Sequence, residues 1–127
     1  MMKPKHRKRL KKLADVLKHF KEHVPRLAKS PDGYRIKHFD MNVIFDKSKA
    51  CAGGVAALHP WFRKRGLKMG SNGCRIKYRK ADGSYEALEK FFGLDSTPME
   101  TIFYQGYSRN AKEVARDIRE YLKTNAA

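Results

Sequence analysis

Cys51 and His59 are the residues whose types first suggest chemistry, a thiol nucleophile with an imidazole base. A cysteine nucleophile needs its base within hydrogen-bond reach and a third group to orient that base. Eight residues apart on a helix, the two would stand about 80° apart around the axis and two turns apart along it, which is poor geometry for contact. A zinc site needs four ligands, usually in paired short spacings. Cys51 and Cys74 are the two cysteines of the chain, and neither has a cysteine or histidine partner at such a spacing. Cys51 therefore reads as a small buried hydrophobe. Gly53-Gly54 lacks the flanking pattern of a P-loop or a dinucleotide fingerprint and reads as a site of close helix packing. Asp40 reads as a cap or a hydrogen-bonded group. Glu86, Glu89, Glu113, Asp117 and Glu120 read as solvated, paired residues on helix faces. No catalytic residue, metal ligand or cofactor is expected, and the chain does not read as an enzyme.

Cations carry the stronger signal. The chain has 127 residues and a formal net charge of +16. Residues 1–29 carry +9 and residues 63–80 carry +8, the latter with no acid at all, whereas residues 81–127 sum to −2. Charge serving solubility alone would be spread out; charge gathered in blocks is the footprint of a polyanion binder. The candidate nucleic-acid-binding residues are Lys11, Lys12, Lys18 and Lys21 in the first block, with Arg63, Lys64, Arg65, Lys68, Arg75, Lys77 and Arg79 in the second. Arg75, Lys77 and Arg79 alternate with apolar residues, which places them on one face of a strand at steps of about 6.6 to 7 Å. That step is close to the phosphate repeat along one nucleic-acid strand. Tyr78 and Tyr85 are candidate stacking faces for unpaired bases.

These residues must be positioned by local elements. Residues 1–9 read as a basic, disordered arm, and residues 10–127 as one compact domain. Leu10, Leu13, Leu17, Phe20, Val24 and Leu27 form the apolar stripe of a helix that Pro25 ends or kinks. Ser30 to Gly33 reads as a turn, and Phe39, Met41, Val43 and Phe45 alternate as a short extended segment. Ala50 to Leu58 predicts a tightly packed helix that His59-Pro60 ends. Cys74, Ile76 and Tyr78 predict a strand. Ser84 is the expected N-cap of a helix to Phe92, with Gly93 after its end. Thr97-Pro98-Met99-Glu100 and Asn110 to Glu113 both read as capping boxes opening further helices. The last helix carries Val114, Ile118, Tyr121 and Leu122. The expected fold class is mainly α (α+β): a compact helical domain with a short β element and a basic N-terminal helix.

A mean hydropathy of −0.73, the lack of an apolar run of membrane-spanning length and a basic N-terminus without an apolar h-region predict no membrane partner. Sparse cysteines suit a reducing, cytoplasmic setting.

Phe39-Asp40-Met41, the Cys51 to Ala57 segment, Pro60-Trp61-Phe62, Gly66-Leu67, Phe91-Phe92-Gly93-Leu94, Phe103, Tyr107 and Val114-Ala115 follow one another in a recognisable order. In this the chain resembles a family of small, functionally uncharacterised bacteriophage and mobile-element proteins with a Cys-Gly-rich small-residue helix and a Phe-Gly-Leu turn. Most members carry a second cysteine where this chain has Ala56. The resemblance implies a phage origin, hence the host cytoplasm, and a mostly helical fold, without implying an activity. The functional expectation is a small basic protein that binds DNA or RNA through the phosphate backbone with low sequence specificity. The alternative is a phage-encoded inhibitor or modulator of a host protein.

Overall fold

The computed structural model describes residues 2–30, 33–70, 75–81, 83–103 and 109–125. The chain opens with α1 (Pro4–Lys18), which buries Leu10, Leu13, Ala14, Val16 and Leu17. Its main partner is α7 (Ala111–Thr124) at the other end of the chain, whose buried stripe is Ala111, Val114, Ala115, Ile118 and Leu122. The stripe spacings of both helices follow the 3.6-residue period, so each presents one apolar face to the other.

The helix begins within the segment the sequence assigns to a disordered arm. Pro4 sits in its first turn, where a missing N–H costs nothing. Arg7 Nη1 then donates to the Leu122 carbonyl at 3.1 Å, and Arg9 Nη1 to the Phe91 carbonyl at 2.8 Å. Both acceptors lie in the last turns of their helices, where carbonyls have no intrahelical donor. Two cations of the basic run thus cap helix ends.

The first helix also ends earlier than Pro25. It stops at Lys18, and α2 (Phe20–His23) and a 3₁₀ turn (Val24–Arg26) containing Pro25 follow. The break lets Phe20 meet Phe39 edge to face, with ring centroids 5.8 Å apart. Ser30 closes the next turn by accepting from the Tyr34 amide through its hydroxyl; Pro31 and Asp32 lie outside the described residues.

β1 (His38–Phe39), β2 (Phe45–Asp46) and β3 (Lys49–Ala50) form a small sheet in the order β1-β3-β2, with β1 parallel and β2 antiparallel to β3. The extended segment expected over Phe39 to Phe45 is therefore broken by a turn, in which Asp40 Oδ1 accepts from the Asn42 amide. Next come α3 (Ala52–Leu58), buried along its whole length, and α4 (Pro60–Arg63). A Cβ on Gly53 would stand 2.7 Å from Leu88 Cδ1, and one on Gly54 would run into the Ile44 carbonyl. The glycine pair is a packing device, as its sequence context indicates.

β4 (Leu67–Met69) and β5 (Ile76–Tyr78) pair as an antiparallel ribbon. β4 is not anticipated by the sequence, and Cys74 lies outside the described residues. α5 (Ser84–Phe92) and α6 (Ser96–Phe103) complete the fold. Gly83, not Ser84, is the N-cap of α5; the Ser84 hydroxyl instead accepts from the Ile76 amide at 3.0 Å and ties β5 to the helix. α6 starts at Ser96, ahead of the capping box expected at Thr97, and the Asp95 carbonyl accepts from the Met99 amide. The second box is formed: Asn110 Oδ1 accepts from the Glu113 amide at 2.8 Å, and Glu113 Oε1 from the Asn110 amide at 3.0 Å. Gly93 ends α5 at φ +65°, the left-handed conformation expected of a C-terminal glycine. The architecture is mainly α with two small sheets. Phe62, Phe91, Phe92 and Phe103, fully buried, lie at the centre of its core.

Candidate nucleic-acid interface

The two basic blocks, far apart in sequence, meet at two aromatic rings. At the first, the Arg65 guanidinium lies 3.5 Å from the centroid of Trp61, and Lys12 Nζ of α1 stands 6.0 Å from the same ring. Arg65 Nη1 also donates to the Trp61 carbonyl at 2.9 Å, fixing the stack. At the second, Tyr78 has the Arg9 guanidinium at 5.8 Å and that of Arg79 at 5.1 Å. Cations within about 6 Å of a ring centroid are attracted by the ring quadrupole. The rings thus hold together positive groups that would otherwise repel.

Between these junctions runs the β4–β5 ribbon, in whose register Lys68 stands directly opposite Lys77. Like charges opposite one another on a sheet are destabilising. Among the described residues neither lysine has a carboxylate partner. The acids are used elsewhere: Glu86 pairs with Lys90 at 3.2 Å, Asp117 with Arg109 at 2.6 Å and Glu120 with Lys123 at 3.7 Å.

The expected face of Arg75, Lys77 and Arg79 is not continuous. Arg79 follows the strand at φ +55°, in a turn closed by reciprocal hydrogen bonds between Tyr78 and Ala81, so its side chain leaves the strand's alternation. Arg63, Lys64, Lys68, Arg75 and Arg79 are exposed, and Lys77 and Lys12 are half-buried. The remaining candidates of the first block part company. Lys11 lies beside α7, with Arg7, Arg119 and Lys123. Lys18, the last residue of α1, and Lys21 of α2 lie near Lys37 and Lys112. Tyr78 is 4% exposed and is covered by Arg9, Arg79 and, edge to face, Phe91, so it presents no face to a base; Tyr85 is 43% exposed.

Beneath Trp61, His59 has a buried partner, His23, that the sequence does not indicate. His59 Nδ1 accepts from the Trp61 amide at 3.2 Å, and its Nε2 stands 3.0 Å from His23 Nδ1. With Nδ1 accepting, a neutral His59 carries its proton on Nε2 and donates it to His23. Burial pushes the His59 imidazole down to about 4, helped by the neighbouring His23, Lys12 and Arg26. Burial also lowers His23, with Arg26 and Lys12 adding to the effect. The neutral pair anchors the turn from which Trp61 projects.

Cys51 is buried at the start of α3. Among the described residues no group of three or more His, Cys, Asp or Glu is placed to hold a metal ion. No helix among them is long and apolar enough to cross a membrane. No family model, curated protein or solved structure matches the chain.

Sequence reasoning marks the cations by density and, for Arg75, Lys77 and Arg79, by alternation. The junctions are missed, although Trp61 and Arg65 at a spacing of four are a visible signal. The opposition of Lys68 and Lys77 has none, because it depends on a strand register.

Proposed function

We propose that the protein binds nucleic acid through the phosphate backbone, with low sequence specificity, on the surface formed by Lys12, Arg65, Lys68, Lys77 and Arg79. The observation that carries this reading is the Lys68–Lys77 opposition, with no acid partner among the described residues. A sheet that sets two lysines opposite one another in register gains when an anion settles between their side chains. A phosphate oxygen does so, and each phosphate neutralised also releases condensed counterions. The Trp61 and Tyr78 junctions extend the same surface onto α1. Its cations sit on a ribbon, a turn and a helix flank. They suit phosphates, which fix register but carry no sequence information. A phage-encoded protein in the host cytoplasm is the setting that accompanies this reading.

Fluorescence anisotropy with labelled DNA and RNA tests it. The combined variant Arg65→Gln, Lys68→Gln and Lys77→Gln is expected to lose about tenfold or more in affinity for every sequence tried. Unchanged binding by this variant, with native circular dichroism, would count against the surface. Capture from lysate with and without nuclease separates the alternative reading: a stoichiometric host protein that survives nuclease would point to an acidic protein surface as the partner.

A further inference from the structure

α1, α2, β1 and the first turn of α7 line a cleft of about 600 Å³ at the C-terminal end of α1. Small-molecule sites span about 300–1,000 Å³. The floor is apolar: Leu17, with the partly exposed rings of Phe20 and Phe39. Lys18, Lys21, Lys37 and Lys112 stand around it, all exposed and drawn from three separate segments of the chain. Among the described residues none of the four forms an ion pair. Glu22, which also lines the cleft, faces His19 Nδ1 at 3.8 Å.

An aromatic floor ringed by unpaired cations fits a flat apolar group attached to several anions. A single-headed amphiphile such as a fatty acid needs one or two cations at one end; four from three segments suit a chain with repeating phosphates. We propose that this cleft receives one unpaired nucleotide of a single strand, its base against Phe20 and Phe39 and its flanking phosphates on the four lysines. The inference rests on the nucleic-acid reading above and adds a preference to it. A base held in a duplex is stacked and paired and cannot enter, so single strands bind more tightly than duplexes.

The test is anisotropy of a labelled single-stranded DNA and of its duplex, at one salt concentration, for the wild type and two variants. Phe39→Leu keeps an apolar floor and removes a ring; Lys37→Gln with Lys112→Gln alters exposed positions outside the core. The wild type is expected to prefer the single strand. Phe39→Leu is expected to weaken single-strand binding about five- to a hundredfold, the range for one base–aromatic stack, and to leave duplex binding unchanged. The double lysine variant lowers the single-strand preference without touching Phe39, which guards against a folding defect. Equal affinity for both forms, or a single-strand preference that survives both variants, overturns the cleft while leaving backbone binding intact. Absence of binding to either form overturns both.

Discussion

His59 accepts the Trp61 amide, meets His23 and packs edge to face on Phe62 at 5.7 Å, so its protonation state bears on core and surface together. Its imidazole titrates near 4 in the folded protein against about 6.5 in the unfolded chain. The unfolded state therefore binds more protons between these values, and stability falls as pH drops through that window. The contribution is fully present above pH 6.5, and about 2 kcal/mol of it is gone by pH 5. His59→Gln is expected to flatten this part of the stability curve, measured by urea unfolding from pH 7 to pH 4.5. A wild-type curve that is already flat would show that His59 is not held neutral. A second residue sets the scale of the core. Phe92 is fully buried and stacks on Phe103 with centroids 5.5 Å apart. Phe92→Ala should cost about 3–5 kcal/mol, a large share of a small domain's stability, in thermal or denaturant melts.

At the scale of elements, the proposed binding would set stability against affinity in the β4–β5 ribbon. Lys68→Gln or Lys77→Gln removes a like-charge pair, so each variant is expected to be more stable than the wild type by roughly 0.2–1 kcal/mol. The same variants should bind nucleic acid less tightly. Stability and affinity moving together would mean that the lysines serve the fold. How far such elements are legible in the sequence follows from where their determinants lie. α7 is legible because its cap residues Asn110 and Glu113 and its stripe are all local. The start of α1 is not, because the carbonyls that Arg7 and Arg9 satisfy belong to residues 115 and 82 positions away. β4 is three residues long, too short for alternation to declare itself, and without it the register that opposes Lys68 to Lys77 is invisible. The charge blocks can be counted from the sequence, whereas Trp61 as their meeting point depends on the tertiary structure that brings Lys12 of α1 to its ring. Lys37 and Lys112 fall outside both blocks for the same reason: the fold, not their neighbours in sequence, brings them to the cleft.

For the whole molecule, the charge of +16 is neither uniform nor wholly available. Arg7 and Arg9 cap helix ends, Arg109 is held by Asp117 and two carbonyls of α6, and several cations of the last third are paired with acids. Of those that remain, Lys12 of α1, Arg65 of the turn after α4 and Arg79 beside the β4–β5 ribbon meet the rings of Trp61 and Tyr78, on the surface proposed above. The central claim is that this surface works as a unit on phosphates. Its most direct measurement is the salt dependence of nucleic-acid affinity for the wild type and for the combined variant Lys12→Gln, Arg65→Gln, Lys68→Gln and Lys77→Gln. If about five phosphates are neutralised, log K against log salt has a slope near −4 to −5 for the wild type. The variant is expected to keep native circular dichroism, bind weakly to every sequence, and show a slope reduced by about one for each cation that contacts a phosphate. A folded variant that still binds with the wild-type slope would contradict the account and leave the cations as a solubility device.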